Sequence, residues 1–193
     1  MSKMLDVQMS PLAIAALALI DEEPRHPYDV YQVMMHRRED ILVKIRPGSL
    51  YHAVGKLAEY NYIEEIGTDR EGNRPERTTY RITQAGGAVL RSTIADHLAN
   101  PRKEYPIFPL AVAEAHHLAK EDVLQHLSHR RSVLSSDLTE VEDIYRHVID
   151  DRGKPARYVL DIDLIIHQIR AEIAWVDSTV AALQDGRLEW TAS

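Results

Sequence analysis

The chain has 193 residues, of which 45% are hydrophobic and 27% are charged, and its formal net charge is −7. These values are typical of a soluble protein with one medium domain or two small ones. Cysteine is absent, which excludes disulfides, thiolate metal sites and thiol nucleophiles.

The first predicted element is a buried helix. Ser10 and Pro11 are typical of a helix start, with serine as N-cap and proline in the first turn. The apolar run that follows, Leu12 to Ile20, has nine residues, whereas a membrane span needs about 20. No signal-peptide pattern precedes this run. We therefore expect a cytoplasmic protein.

Two further helices are predicted before the helical period ends. The second spans about Tyr28 to Arg38, and the stretch EDILVKIRPGS after it breaks the helical period and predicts a short extended piece. The third helix begins at Gly48 or Ser49 and ends near Tyr60. The next residue, Asn61, tolerates the left-handed conformation that often ends a helix.

A β-hairpin and a fourth helix are predicted next. Two β-type runs, 62–68 and 78–83, flank a turn-rich loop that is also rich in arginine. Thr83 is a suitable N-cap for a helix over 84–98. Three helices followed by a hairpin form a winged helix-turn-helix pattern, so the predicted fold is mainly α with one small hairpin.

The second half of the chain is predicted to be a separate helical domain. Three prolines in NPRKEYPIFP favour a boundary there, giving domains of residues 1–99 and 100–193. Helices are expected over about 110–118, from 120 past 145, and along a regular apolar seam. The alternating spacing of three and four in this seam predicts shallow, coiled-coil-like packing and a dimer interface. The seam residues are Val159, Ile162, Ile166, Ile169, Ile173, Val176, Val180 and Leu183.

The third helix has one apolar face and one polar face. Leu50, Val54 and Leu57 share the apolar side, while His52 and Lys56 lie opposite. Free N–H groups at the start of this helix would suit a phosphate, and its polar face would suit a major groove. The alternative is an amphipathic surface helix with no ligand.

The arginines of the hairpin favour DNA over that alternative, because arginines on a wing fit a narrow minor groove or its phosphates. Acidic neighbours and the net charge of −7 favour the opposite interpretation, in which these arginines are surface charges in solvent without a ligand. The predicted DNA-binding residues are Arg46, Gly48, Ser49, Tyr51, His52, Lys56, Arg70, Arg74 and Arg77.

Three motifs in this order resemble the PadR family of transcriptional regulators. They are HPYDVYQVM in the second helix, GSLYHAVGKLAEYNYI in the third, and NRPERTTYRITQAG in the wing. The segment AEIAWVDSTVAAL resembles the helical dimerisation domain of the longer members, and its tryptophan is Trp175. Pro27, Asn61 and Asn73 depart from the family's usual glycines.

The resemblance implies a homodimeric, DNA-binding repressor that takes a palindromic operator in double-stranded DNA. Tyr51 and Lys56 match the family's recognition-helix contacts, and Arg74 matches its wing contact. The family often binds small aromatic or amphipathic effectors, and Tyr105, Phe108 and Trp175 are the candidate pocket residues. Simple core packing is the competing interpretation of these aromatic residues.

Signals for an enzyme are weak, and we expect no cofactor and no catalytic residue. The sequence lacks HExxH, Walker and dinucleotide-binding motifs. The pairs His116–His117 and His126–His129 keep a histidine-based metalloenzyme as one alternative, although we expect no metal. Another alternative is a ligand-sensing or protein-interaction module that does not bind DNA.

Overall fold

The computed structural model describes residues 9–69 and 77–190. The chain divides into two compact units, Met1–Lys103 and Glu104–Ser193. The N-terminal unit has mixed structure and the C-terminal unit is helical. This is the mainly α fold with one hairpin that the sequence predicts.

The N-terminal unit contains four α-helices and one hairpin within its described residues. They are α1 (Pro11–Glu22), α2 (Pro27–His36), α3 (Pro47–Glu59), β1 (Ile63–Asp69), β2 (Arg77–Ile82) and α4 (Gln84–Ala99). Ser10 caps α1 as predicted, because its side chain accepts a hydrogen bond from the Ala13 amide. Thr83 caps α4 in the same way through the Gly86 amide.

The core of this unit forms around α1, whose buried residues include Leu17 and Ile20. The apolar face of α3 packs into the same cluster through Leu50, Val54 and Leu57. Because α1 is covered by α3, α4 and β2, its sequence is apolar on nearly every side.

The hairpin is antiparallel, with Ile63 opposite Ile82 and Asp69 opposite Arg77. One residue outside the hairpin also pairs with it. The backbone of Arg25 exchanges two hydrogen bonds of 3.0 Å with the backbone of Tyr80 in β2. In the stretch after α2, where the sequence predicts a short extended piece, the described residues form no strand, and Arg46 near its end has extended backbone angles. That stretch begins with a 3₁₀ turn, Glu39–Ile41, which follows Arg38 in the left-handed conformation with a φ of 59°.

Over residues 104–190, the C-terminal unit contains three α-helices: α5 (Ile107–Ala113), α6 (Lys120–Arg146) and α7 (Leu160–Gln184). A 3₁₀ turn, Ala115–His117, joins the first two, and a π-helical turn, His147–Asp151, ends the second. Helices α6 and α7 pack along their length. Arg130 donates a hydrogen bond to Glu172, and Arg170 donates one to Glu142.

The apolar seam of α7 packs within the same chain, where α7 contacts α6 along its length. Five seam residues are buried within the single chain: Val159, Ile162, Ile166, Val176 and Leu183. Ile169, Ile173 and Val180 are half-buried. The regular spacing therefore serves packing within the chain, and a role of this seam in a dimer stays a prediction.

Among the described residues, no helix combines the length and the apolar character that a membrane span requires.

Candidate nucleic-acid interface

Helix α3 presents the polar face that the sequence predicts. Ser49, Tyr51, His52 and Lys56 are exposed, while Leu50, Ala53, Val54 and Leu57 are buried below them. The buried face fixes the orientation of the helix on the core. The exposed face is therefore held in a defined position and is open to a ligand.

The N-terminus of α3 has no side-chain cap, whereas α1, α2 and α4 are each capped by a side chain. Its amide groups carry the positive end of the helix dipole. Arg46 occupies the N-cap position in an extended conformation, and Gly48 and Ser49 follow in the first turn, all exposed. Uncapped amides beside an arginine form an arrangement that suits a phosphate group.

Lys56 lies one to two turns further along the same face and is paired within the chain. Its Nζ donates a hydrogen bond of 2.6 Å to Oε2 of Glu59, one helical turn later. This hydrogen bond raises the pKa of the lysine. A phosphate contact by Lys56 would have to replace the carboxylate, so Glu59 opposes binding of an anion at this position.

Tyr51 lies at the junction of α2 and α3. Its ring meets the ring of His26, the N-cap residue of α2, edge to face at a centroid distance of 6.3 Å. The tyrosine is still half-exposed, with 46% of its surface accessible. This contact positions an aromatic hydroxyl beside the predicted DNA-facing residues.

A groove of about 680 Å³ separates α3 from the start of α1, and sequence reasoning missed it. Gly48, Ser49, His52 and Lys56 form one wall, and α1 contributes the other. The α1 side includes Met9, Ser10, Leu12 and Ala13. The groove exists only because two helices distant in sequence pack together, so local periodicity gave no signal for it.

The wing is described only at its base. Arg70 and Arg74 lie outside the described residues, and Arg77 is described as a backbone member of β2 opposite Asp69. Further down the strands, Arg81 donates two hydrogen bonds to Oε1 of Glu64, at 3.2 and 2.7 Å. Arg81 is thus engaged with a cross-strand acid.

Two of the three candidate effector residues are brought together in the C-terminal unit. Phe108 and Trp175 meet edge to face with centroids 5.7 Å apart, and the guanidinium carbon of Arg130 lies 3.4 Å from the centre of the Phe108 ring. Tyr105 is 82% exposed. Phe108 packs against buried Val123 and its neighbours, which favours core packing for the phenylalanine.

The order of helices and the two-stranded wing define the N-terminal unit as a winged helix-turn-helix. Residues 16–92 match the Transcriptional regulator PadR-like family. Over this segment, which is less than half of the chain, the sequence is similar to the PadR-like family.

Solved structures share the fold over both units. The Bacillus subtilis PadR structure in complex with operator DNA is 16% identical, with a TM-score of 0.75, and the match covers 90% of this chain and 99% of that one. The same protein with p-coumaric acid gives 15% identity, a TM-score of 0.72, and coverage of 90% and 98%. The smu.1604c structure from Streptococcus mutans UA159 is 16% identical, with a TM-score of 0.65, and the match covers 90% of this chain and 99% of that one. No curated protein matches the sequence.

Proposed function

We propose that this protein is a sequence-specific, DNA-binding transcriptional regulator that acts in the cytoplasm as a homodimeric repressor. The observation that carries this proposal is the exposed polar face of α3, with an uncapped N-terminus next to Arg46 and with Lys56 further along. The family match and the structure of a PadR bound to operator DNA support the same function.

In the proposed complex, α3 enters the major groove with its N-terminal end. The amides of Gly48 and Ser49 contact a phosphate, Tyr51 and His52 lie near base edges, and Lys56 contacts the backbone. The wing, with Arg70, Arg74 and Arg77, lies in the neighbouring minor groove. Two copies would take the halves of a palindromic site about 34–36 Å apart, or a multiple of that spacing.

The two glycines of α3 support close approach to a ligand. A Cβ built on Gly48 or on Gly55 meets nothing within 4 Å in this chain, so neither glycine is required by intrachain packing. Glycine in a helix interior costs about 0.5–1 kcal/mol relative to alanine. Close contact between α3 and a DNA backbone would explain why residue 55 is glycine although alanine would stabilise the helix.

The proposal is tested by measuring the affinity of the full chain for its own upstream DNA at several salt concentrations. We expect Lys56→Ala to weaken binding and to lower the slope of log affinity against log salt by about one. We expect Glu59→Gln to strengthen binding, because it removes the competing carboxylate from Lys56. Lys154→Ala is the matched control, since it removes the same charge from an exposed residue of the other unit.

Unchanged affinity in both Lys56→Ala and Glu59→Gln, with specific binding still present, would contradict the proposed docking of α3. Absence of any specific binding by the wild-type protein would favour the alternative of a sensing or interaction module.

We extend the proposal to release by a small aromatic acid, since a PadR was solved with p-coumaric acid. The candidate binding region in this chain is Phe108 and Trp175 with Arg130, a cation beside two aromatic rings. Adding p-coumaric acid to the same DNA assay should lower affinity in the wild type and have less effect in Trp175→Ala. Equal responses in the two proteins would exclude this region as the effector site.

A further inference from the structure

The turn between α5 and α6 carries three potential metal ligands on the surface of the C-terminal unit. Glu114, His116 and His117 each offer one ligand atom, and these atoms lie within 4.8 Å of one another. We propose that this cluster, the 114–117 site, binds a divalent transition-metal ion of the Zn²⁺ class. The proposal goes beyond the proposed DNA-binding function and does not depend on it.

The backbone of the site is held in place by a chain of hydrogen bonds. The Glu114 amide donates to the Leu110 carbonyl at 3.1 Å, and the His117 amide donates to the Glu114 carbonyl at 3.2 Å. The carbonyl of Leu118 accepts a hydrogen bond of 3.0 Å from Nε1 of Trp190, a partly buried residue that packs against the core of this unit. The ligands are therefore presented by a fixed turn and lose little backbone freedom on binding.

His116 already has the hydrogen bond that metal-binding histidines usually make. Its Nδ1 lies 3.2 Å from the carbonyl oxygen of Ala113. A carbonyl oxygen can only accept, so Nδ1 carries the proton and Nε2 of the neutral ring keeps its lone pair for a metal. A backbone carbonyl on the second ring nitrogen is the usual way to fix tautomer and ring orientation in such sites.

The second histidine is close enough to share an ion with its neighbours. Nε2 of His117 lies 3.6 Å from Oε2 of Glu114, and the two imidazole rings have centroids 4.2 Å apart at an angle of 36°. Ligand atoms around a tetrahedral zinc, with bonds of about 2.0–2.1 Å, are roughly 3.3 Å apart. Small side-chain rotations at these exposed residues would bring the three ligand atoms to this spacing.

The donor set selects the class of metal. Two imidazoles and one carboxylate favour Zn²⁺, Co²⁺, Ni²⁺ or Cu²⁺ over Mg²⁺ and Ca²⁺, which prefer oxygen ligands alone. Three protein ligands leave a coordination position open for water.

The test is calorimetric titration of the untagged full chain with Zn²⁺, with Co²⁺ absorption spectra as a second readout. We expect one ion per chain and a loss of affinity of at least roughly tenfold in the double variant His116→Ala, His117→Ala. Glu114→Gln should weaken binding less than the double variant, because an amide oxygen is a poorer ligand than a carboxylate. The matched control is His126→Ala with His129→Ala, which removes two exposed imidazoles from α6.

The site residues are exposed, so the variants should keep the wild-type circular dichroism spectrum. Failure of the wild type to bind Zn²⁺ would overturn the proposal. Equal affinity in wild type and His116→Ala, His117→Ala would also overturn it, as would loss of binding in the control.

Discussion

Asn61 shows how a single residue ends one element and positions the next. Its φ of 55° lies in the left-handed region, which asparagine tolerates better than most residues. Its carbonyl accepts a hydrogen bond of 2.8 Å from the hydroxyl of Thr83. The same hydroxyl accepts from the Gly86 amide, so the end of α3 is tied to the start of α4.

The ion pair between Glu22 and Arg37 predicts a dependence of stability on pH. The guanidinium donates hydrogen bonds of 2.6 and 2.8 Å to the two carboxylate oxygens, and these lower the pKa of Glu22. A lowered pKa in the folded state stabilises the protein above the unfolded-state pKa, and this contribution is lost as pH falls through the folded-state pKa. Both side chains are about half exposed, so the pair contributes less than about 1 kcal/mol.

We expect Glu22→Gln to lose less stability than the wild type when the pH is lowered from neutral through the range below the ordinary glutamate pKa. Urea unfolding at a series of pH values measures this difference. Arg37→Gln should flatten the same part of the profile, and the double variant should add nothing further. Parallel profiles for wild type and Glu22→Gln would contradict the assignment.

At the scale of elements, the sequence predicted the helices and the hairpin because their signals are local. Thr83 at the start of α4 is such a signal, and so is the change of period after Asn61. The short extended piece predicted after α2 also has a local signal. Val43 and Ile45 alternate with exposed residues as in a strand, yet both pack on the core from a loop that follows a 3₁₀ turn.

Gly86 fixes the distance between α4 and the start of the hairpin. A Cβ at this position would lie 2.0 Å from the carbonyl oxygen of Tyr62, which is backbone and is not free to move. We expect Gly86→Ala to destabilise the protein by about 1–3 kcal/mol, the usual cost of overpacking. Thermal and urea unfolding measure the change.

Gly87→Ala is the matched control for this prediction. A Cβ at Gly87 meets only the flexible end of Arg91, with Nη1 at 3.3 Å. Alanine is also the better helix former by about 0.5–1 kcal/mol, so this variant should be neutral or slightly stabilised. Equal changes in the free energy of unfolding for the two substitutions would show that contact between residue 86 and the Tyr62 carbonyl does not destabilise the Gly86→Ala variant.

For the whole molecule, the main question is which face of α7 meets a second chain. The seam toward α6 is used within the chain, while Leu160, Leu164, Ala171 and Trp175 lie within about 60° of one another on a different face. Leu160 is 65% exposed and Leu164 is 56% exposed. We therefore propose this outer stripe as part of the dimer interface.

Replacing Leu160 and Leu164 with Glu should give folded monomers, because charged side chains would have to be buried in the interface. Ile166→Glu should unfold the C-terminal unit, since that residue is buried in the single chain. Sedimentation velocity and circular dichroism distinguish these outcomes. Val133→Glu, on an exposed position of α6, is the control. A wild-type monomer at micromolar concentration, or a dimer in the double variant, would contradict the proposal.

The sequence by itself determined the elements, their order, and the apolar and polar faces of α3, because caps, turns and hydrophobic periodicity act over a few residues. Only the tertiary structure decided that the seam of α7 serves α6, that a groove borders α3, and that Phe108 meets Trp175. These features depend on which faces pack together, and a periodic apolar face has the same sequence whether its partner is the same chain or another one.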